Sequence, residues 1–453
     1  MAISTPATAQ RPVVERRAVM PGGFQAGAVA AGIKASGRPD VALILATSGP
    51  AAAAAVFTPN AFAAAPVRLS RANLAATSDD PRGGFGFASA VVSTSGCANA
   101  ATGEAGDRDQ AEVGRLASKA LGVDELRVLH LSTGIIGARL PLDLVAVGID
   151  AVAQNLSDDD AGLEAAAEAL RTTDSVTKVA TTSLVLPSED GVAAPVTLTG
   201  IAKGVGMIHP SMATMLSVVL TDAPIAPEVL WALLRPAAAR TWNQLSVDGD
   251  TSTNDTVFVL ASGVAGATPV AAGSGGAIAL GAAIEAVARD LARQQAADGE
   301  GATILITTVV TGAVDDVDAR AVARAVVSSS LVKAAAHGKD PNWGRIAGAA
   351  GNAVTAYAAV LEAAGLAPEV AAARAGRPAA IDPDLLTISI AGHRVFDGRN
   401  GGPLEFDRAA ARAGMDAPEL VIELDLGLGD GTGEAFGCDL TEQYVIENSE
   451  YTT

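Results

Sequence analysis

Apolar residues are arranged along this chain in two patterns: short continuous runs, and longer alanine-rich stretches with helical spacing. The continuous runs are typical of buried β-strands and predict strands at 41–46, 88–93, 126–131, 178–186, 215–220, 256–261, 303–310, 386–390 and 420–426. The alanine-rich stretches predict helices at 109–121, 161–170, 226–240, 277–294, 319–336 and 353–364. Strands and helices alternate without a regular βαβ repeat, so the pattern favours a layered α/β or α+β sandwich over a Rossmann sheet.

The side chains that can fill these layers are small. Aromatic residues make up 3% of the 453 residues, whereas 48 are glycine and alanine is abundant. Loops rich in proline and glycine, at 78–86, 187–191, 263–276 and 397–403, are too short to be free linkers between domains. We therefore expect the parts before and after about residue 213 to form one intimate structure.

Charge and cysteine content exclude several classes of protein. The chain has 50 Asp and Glu against 31 Lys and Arg, a formal charge of −19, and such a surface repels nucleic acid and anionic membranes. Its two cysteines, Cys97 and Cys438, indicate a reduced compartment, which we take to be the cytoplasm. Four scattered histidines without ligand spacing predict no metal site.

Residues 256–284 carry no charge and resemble a membrane span in that respect alone. Pro269 and the glycine-rich cluster at 273–276 interrupt the segment, and its apolar residues are mostly small. The segment is therefore predicted to be a strand, a loop and the start of a helix. The N-terminus reaches Arg11 and Glu15 before any apolar region develops, which argues against a secretory signal.

One stretch, GIAKGVGMIHPSMATML, combines glycines with a following apolar strand. Gly204 and Gly206 allow backbone geometries that other residues resist, and Pro210 fixes its own φ angle. The peptide between Ala213 and Thr214 is therefore a candidate for strain, and a hydroxyl held beside a carbonyl can attack it. The ordinary interpretation is a tight turn into a buried strand, with the methionines as core filler.

The segment KGVGMIHPSMATML closely resembles the central motif of the ornithine acetyltransferase (glutamate N-acetyltransferase) family. The resemblance extends over nearly the whole chain and in the expected order. Its other blocks are at 94–103, 132–137, 172–174, 248–255, 298–303, 337–346 and 437–453.

This resemblance implies a layered αββα fold with chemistry like that of N-terminal nucleophile hydrolases. It also implies a precursor that cleaves itself between Ala213 and Thr214, giving chains 1–213 and 214–453. Cleavage would release an α-amino group on Thr214. Such a group has a pKa of roughly 7.7–8.0 and can accept the hydroxyl proton of the same residue.

The reaction implied by the family is ping-pong acetyl transfer. N-acetylornithine would acetylate Thr214, ornithine would leave, and glutamate would take the acetyl group. Thr133 and Gly134 match the oxyanion positions of the family, although by themselves they are typical of a strand end and a turn. No cofactor is implied, the use of acetyl-CoA as a co-substrate stays open, and the expected assembly is a dimer of cleaved αβ heterodimers.

Further positions match the substrate-binding residues of the family. Lys203 is expected to bind a carboxylate and Glu300 an amine, whereas a lone charge of either kind is ordinarily a solvated surface residue. The remaining positions match less specific binding roles, and without the resemblance they indicate a turn or a frayed chain end. They are Thr172, Thr173, Asn448 and Thr453.

Some residues depart from the family pattern, and they leave the acyl donor and acceptor open. These are Cys97, Arg171, Ser175 and Thr452. One alternative is therefore a specialised acyltransferase that acts on another N-acyl amino acid. A second is an amidohydrolase or aminopeptidase in which water accepts the acyl group, and a third is an uncleaved binding protein.

The histidines are interpreted as structural. His130 and His393 have no nearby catalytic partner in the sequence, and His337 precedes a segment that we expect to form a rigid turn, 340–345. Arg345 is expected to pair with an acidic neighbour there.

Overall fold

The computed structural model describes residues 12–187, 193–209 and 215–450, the last position without its side chain. The strands are β1 Phe24–Val29, β2 Val41–Ala46, β3 Ala51–Phe57, β4 Phe85–Ala88, β5 Ala90–Cys97, β6 Val128–Ile135, β7 Lys178–Pro187, β8 Ala193–Lys203, β9 Leu216–Thr221, β10 Leu245–Ser246, β11 Thr256–Ala261, β12 Leu305–Ala313, β13 Thr387–Ile390, β14 His393–Asp397, β15 Gly402–Pro403, β16 Glu419–Asp425 and β17 Gly431–Cys438. The helices are α1 Ala65–Ala76, α2 Gly103–Leu121, α3 Leu142–Ala153, α4 Asp160–Leu170, α5 Pro227–Arg240, α6 Gly275–Ala297, α7 Asp316–Ser328, α8 Ser330–His337, α9 Trp343–Gly351, α10 Ala358–Ala363, α11 Pro368–Arg374, α12 Arg408–Gly414 and α13 Glu442–Glu450.

Two sheets form the centre of the fold. A four-stranded sheet, β1-β2-β5-β6, packs face to face on a six-stranded sheet, β4-β3-β11-β9-β8-β7. Helices α2 and α3 cover the outer face of the first sheet, and α5 and α6 cover the outer face of the second. This arrangement confirms the αββα sandwich expected from the sequence. The buried residues between the two sheets include many alanines, so the layers approach closely.

A third sheet adds two layers that the sequence does not predict. Its order is β10-β17-β12-β16-β13-β14-β15. One face packs against α6, so that helix lies between two sheets, and the other face is covered by α7 and α9. The uncharged segment 256–284 contains β11, a loop and the start of α6, as predicted.

Two of the predicted helices are shorter in the structure. The segment 319–336 is divided between α7 and α8, because the Ser329 side chain accepts a hydrogen bond from the backbone N–H of Val332 and starts a new helix. In 353–364 only α10 is helical, since Val354 forms an isolated β-bridge with Pro378.

The six-stranded sheet joins the two predicted chains. β8 precedes the proposed cleavage position and β9 follows it, and the two strands are antiparallel neighbours. β11 pairs with β9 on one side and with β3, from the first part of the chain, on the other. The two parts are therefore united within one sheet and share one core.

Candidate active site

The candidate site lies where neighbouring strands of the six-stranded sheet begin or end. β8 ends at Lys203, which pairs with Leu216 at the start of β9, and Thr256 of β11 pairs in parallel with the same Leu216. Met215, which follows Thr214 in the chain, accepts a hydrogen bond from the backbone N–H of Thr256 at 2.9 Å. Lys203 is the last residue of β8, so its backbone position is fixed by the sheet.

Some sequence-predicted positions lie outside the described residues, namely Ala213, Thr214, Thr452 and Thr453. The cleavage site and the C-terminal binding position therefore stay predictions. The structure describes the other predicted site residues, which are Thr133, Gly134, Thr172, Thr173, Lys203, Glu300 and Asn448.

The predicted oxyanion residues lie near the end of β6, in the four-stranded sheet. Thr133 is buried, and its Oγ1 accepts a hydrogen bond from Lys203 Nζ at 3.2 Å, so this contact joins the two central sheets. Gly134 has a φ angle of +128°, and a Cβ there would lie 2.3 Å from the carbonyl carbon of Gly96. Glycine is therefore required at position 134 for both conformation and space.

Asn254 connects three of the sequence blocks at this site. Its Nδ2 donates hydrogen bonds to the carbonyl oxygens of Ala98 (2.7 Å) and Ser132 (2.8 Å). The hydroxyls of Ser132 and Thr94 are also hydrogen-bonded, at 2.9 Å. The strand end that carries Thr133 is thus held in place by side chains from distant parts of the chain.

Glu300 is the centre of a second group of predicted residues. Its Oε1 accepts a hydrogen bond from Thr173 Oγ1 (2.8 Å), and its Oε2 accepts one from Asn448 Nδ2 (2.9 Å). Its backbone N–H donates to the carbonyl oxygen of Val205 (2.8 Å). A Cβ on Gly206 would lie 2.2 Å from the carboxylate, so glycine there makes room for it. Of the two neighbouring threonines, Thr172 and Thr173, it is therefore Thr173 whose side chain contacts Glu300.

Thr172 contributes its backbone to an adjacent buried cluster. Asp174 accepts hydrogen bonds from Lys178 Nζ (2.7 Å) and from the backbone N–H groups of Gly204 (2.8 Å) and Thr172 (3.1 Å). Lys178 Nζ also donates to Asp298 Oδ2 at 2.6 Å. Burial alone would raise the pKa of Asp174, but the cationic lysines and the hydrogen bonds lower it to about 2. Asp174 is therefore ionised at neutral pH.

Lys203 lies among several charged groups. Burial lowers the pKa of its ammonium, Asp174 raises it, Lys178 lowers it further, and Glu300 and Asp255 raise it. Asp255 is 2% exposed, and its Oδ2 has no hydrogen-bond partner within the described part of the chain. Burial raises the pKa of Asp255 well above its ordinary value. Carboxyl groups thus surround the lysine that contacts Thr133.

The described end of the glycine-containing loop is held by Asp248. Its carboxylate accepts the backbone N–H groups of Met207 (2.5 Å) and Ile208 (2.8 Å). Met207 has a positive φ of 54°, which is uncommon for a residue with a side chain. His209 Nδ1 is hydrogen-bonded to Ser246 Oγ at 3.0 Å, and burial lowers the pKa of His209 to about 3. His209 is therefore neutral near pH 7.

The described residues that depart from the family pattern make contacts within the protein. Cys97 is buried, and its Sγ donates to the carbonyl oxygen of Ala138 at 3.1 Å. Arg171 donates to the carbonyl oxygens of Asp174 (2.8 Å) and Ser175 (2.7 Å). These departures support the loop that carries Thr173 and the strand end next to Gly134.

The predicted turn around Asn342 is a helix start. The Asn342 side chain accepts the backbone N–H of Arg345 at 3.2 Å, so it caps α9. The expected acidic partner of Arg345 is not found among the described residues. Its Nη1 donates instead to the carbonyl oxygen of Leu331 (2.9 Å) at the start of α8, because α8 packs against α9. His337 is hydrogen-bonded to the buried Asp439 at 3.0 Å, in keeping with a structural role.

Sequence reasoning missed Lys178, Asp255 and Asp298 as members of the site. Lysine is rarely buried, so nothing in composition favours a fully buried Lys178. One signal was available, because Lys178 opens an otherwise uncharged run that was predicted to be a strand. A charged residue at the first position of a buried strand indicates an ion pair at that strand end.

Two searches of the described residues gave no match. In residues 12–187, 193–209 and 215–450, no group of three or more His, Cys, Asp or Glu side chains could hold a metal ion. In the same ranges no helix is long and apolar enough to cross a membrane.

Comparisons with known proteins agree on one family. The model of the ArgJ family matches residues 25–453. The arginine biosynthesis bifunctional protein ArgJ of Thermosynechococcus vestitus is 42% identical over 448 residues, covering 95% of this chain and 96% of that protein. The protein of the same name from Thermus thermophilus is 42% identical over 439 residues, covering 96% and 99%.

Solved structures are also similar to this chain. An arginine biosynthesis bifunctional protein from Bacillus halodurans shares 37% identity, covers 52% of this chain and 99% of its own, and has a TM-score of 0.45. An ornithine acetyltransferase from Mycobacterium tuberculosis, complexed with ornithine, shares 36% identity, covers 44% and 97%, and has a TM-score of 0.38.

Proposed function

Because the chain belongs to the ArgJ family and is thereby a glutamate N-acetyltransferase of arginine biosynthesis, we propose that Thr214 is its nucleophile. The acetyl group passes from N-acetylornithine to Thr214 and then to glutamate. One observation carries this assignment: the predicted site residues contact one another near strand ends. Lys203 contacts Thr133, and Glu300 contacts Thr173 and Asn448. β9, which begins two residues after Thr214, is one of those strands.

The first step in this proposal is self-cleavage. Thr214 Oγ attacks the carbonyl carbon of Ala213, the peptide C–N bond breaks, and an ester forms between the two residues. Water then hydrolyses the ester, which leaves a carboxylate on Ala213 and an α-amino group on Thr214. The products are chains 1–213 and 214–453, and both contribute strands to the six-stranded sheet.

The second step uses the new amine as the base. It takes the proton from Thr214 Oγ while the oxygen attacks the acetyl carbonyl of N-acetylornithine. The tetrahedral intermediate carries a negative oxygen, to which the Thr133 hydroxyl and the Gly134 N–H donate. The intermediate collapses, ornithine leaves with a proton on its nitrogen, and the amine of glutamate then attacks the acetyl ester in the same way.

Substrate recognition follows from the charges of the site. Glu300 pairs with a cationic amine of ornithine. Thr173 and Asn448 hold the carboxylate of Glu300 in position. Lys203 attracts the α-carboxylate. Thr172 and Thr453 complete the proposed binding set. Thr172 contributes through its backbone N–H, which donates to Asp174 and so helps to hold the loop that carries Thr173.

The wider proposal concerns assembly and location. Two cleaved αβ heterodimers associate into a heterotetramer, and the enzyme needs no cofactor. It works in the cytoplasm, in agreement with two free, buried cysteines. A relative from Ostreococcus lucimarinus is described as chloroplastic.

Intact mass under denaturing conditions, N-terminal sequencing and an acetyl-transfer assay test this proposal together. We expect wild type to give two chains, one beginning at Thr214, and to transfer acetyl from N-acetylornithine to glutamate faster than to water. Thr214→Ala removes the nucleophile, so we expect one uncut chain and no transfer. Thr214→Ser, the matched control, keeps a hydroxyl and retains part of both activities.

Two outcomes would contradict the proposal. Full turnover by Thr214→Ala would exclude Thr214 as the nucleophile. Acetate release that glutamate does not suppress would identify a hydrolase instead. A parallel series with acetyl-CoA as donor determines whether that co-substrate is used.

A further inference from the structure

The contact between Lys203 and Thr133 gives the lysine a second role, which rests on the proposed function. We infer that Lys203 is a positioning residue that acts through Thr133, orienting and polarising the hydroxyl that donates to the tetrahedral oxyanion. Thr133 Oγ1 accepts a hydrogen bond from Lys203 Nζ (3.2 Å). An oxygen that accepts from an ammonium is polarised, so its own O–H becomes a stronger donor.

The burial of Thr133 strengthens this effect. Thr133 is 8% exposed, and electrostatic interactions are less screened there than in water. A threonine hydroxyl can rotate about its C–O bond. A fixed ammonium on one side of the oxygen leaves the hydrogen directed away from Lys203. The hydroxyl is therefore oriented before a substrate arrives.

The backbone on both sides of the Lys203 side chain is fixed. Its carbonyl oxygen accepts a hydrogen bond from Gln295 Nε2 of α6 at 2.8 Å, and Gln295 is fully buried. The next residue, Gly204, donates its N–H to the buried Asp174 at 2.8 Å. Lys203 is thus held by α6 and by Asp174, unlike a flexible lysine on a surface.

Charged groups from several elements act on the ammonium of Lys203. Asp174, Glu300 and Asp255 attract its ammonium, and Lys178 repels it. The three carboxyl groups come from the loop after α4, the loop after α6 and the residue before β11. Burial is the larger effect and lowers the pKa of Lys203, and the carboxyl groups reduce that lowering.

This role differs from simple binding of a substrate carboxylate in its kinetic consequence. A lysine that only binds substrate contributes equally to ground state and transition state, so its loss raises KM. A lysine that acts through the oxyanion donor contributes mainly in the transition state, so its loss lowers kcat. An ammonium has three hydrogens, and one of them is engaged with Thr133.

A double-mutant cycle on the full chain tests the inference. Wild type, Lys203→Met, Thr133→Val and the double variant are compared for kcat and for KM of N-acetylornithine and glutamate, after mass confirms maturation. We expect Thr133→Val to lower kcat roughly 10²- to 10³-fold. Lys203→Met should lower kcat at least about tenfold, and the double variant should be no slower than Thr133→Val alone, because Lys203 acts through that hydroxyl.

Two further variants separate this role from a loss of structure. Lys203→Arg keeps the charge and should retain most of kcat, with activity extending to higher pH because the guanidinium stays protonated. Lys119→Met removes an exposed lysine at the end of α2 and should leave kcat unchanged. If Lys203→Met matures poorly, Lys203→Gln gives the same comparison with a polar side chain.

The outcomes distinguish this inference from the function on which it rests. If the wild type cleaves itself and transfers acetyl, but the kcat losses of the two single variants multiply in the double variant, only the role of Lys203 through Thr133 is overturned. The same holds if Lys203→Met changes only KM. A wild type that does not transfer acetyl overturns the proposed function and this role with it.

Discussion

Two clusters of charged and polar residues share the loops that follow α4 and α6, and they differ in solvent exposure. The buried ion cluster consists of Asp174, Lys178 and Asp298, and its lysine is fully buried. The open carboxylate cluster consists of Thr173, Glu300 and Asn448, of which Thr173 and Asn448 are exposed. Thr173 directly precedes Asp174, and Glu300 follows Asp298 by two residues.

The difference indicates that the buried ion cluster stabilises the loops and that the open carboxylate cluster binds the substrate. Lys178 Nζ has its donors engaged by Asp174, Asp298 and the carbonyl oxygen of Val176. A buried cluster that is satisfied in this way fixes both loops but leaves no group for a ligand. Glu300 is only half-buried, so a substrate amine can reach its carboxylate. Ligand recognition therefore depends on an open group supported by a closed one.

The largest expected effect is the loss of stability on removal of the buried cation. Lys178→Met leaves Asp174 and Asp298 without their shared cation, and breaking a buried pair in this way costs about 3–5 kcal/mol. Chemical denaturation followed by circular dichroism measures the free energy of unfolding. A second variant, Lys178→Met with Asp174→Asn, should recover part of the loss because it also removes a buried negative charge.

The matched control for this experiment is an exposed ion pair. Arg115 and Glu112 pair on the outside of α2, so Arg115→Met should leave unfolding unchanged within error. If Lys178→Met is as stable as that control, the buried ion cluster does not hold the loops, and the contrast with the open cluster loses its basis.

The sequence predicts the parts of this arrangement that depend on local patterns. The apolar run at 256–261 became β11 without change, and α4 and α5 differ from their predicted bounds by one residue at the start. β3 was missed because its sequence is almost entirely alanine, a strong helix former. All seven of its residues are buried between neighbouring strands and layers, so tertiary packing overrides the local preference.

The candidate site was predicted to a similar degree. Motif resemblance singled out Glu300, Thr173 and Asn448, which the structure brings together. It assigned no role to Lys178 or to Asp298, the first residue of block 298–303, because their role arises from a contact between residues 120 positions apart. The sequence indicates an ion pair at the start of β7 but does not identify the distant partner of Lys178. The six-layer packing, with α6 between two sheets, was beyond local patterns for the same reason.

An intermediate effect is expected for the open cluster, on binding rather than stability. Glu300→Gln keeps the size of the side chain but removes the charge that pairs with a substrate amine. A lost charge-assisted hydrogen bond costs about 1.5–3 kcal/mol, which corresponds to a roughly 10- to 100-fold higher KM for N-acetylornithine. Steady-state kinetics measures this change. The unfolding free energy should change by less than about 0.5 kcal/mol, as for most surface substitutions.

An equal loss of stability in Glu300→Gln and Lys178→Met would remove the distinction between the two clusters. Glu300→Asp is the companion variant, since it keeps the charge but shortens its reach. It should retain more affinity than Glu300→Gln if charge is the main contribution, and less if the contacts with Thr173 and Asn448 are.

The smallest expected effect belongs to Asn448, which only supports the carboxylate. Its Nδ2 donates to Glu300 Oε2 (2.9 Å) and to the carbonyl oxygen of Tyr444 (3.0 Å) from an exposed helix. Asn448→Ala removes one neutral donor, worth about 0.5–1.5 kcal/mol, so KM should rise roughly two- to tenfold with kcat nearly unchanged. Gln443→Ala, on the same helix and bonded to Glu447 at 3.0 Å, is the matched control and should leave KM at the wild-type value. If both substitutions raise KM equally, the effect comes from the helix as a whole, and Asn448 does not support Glu300 through its own hydrogen bond.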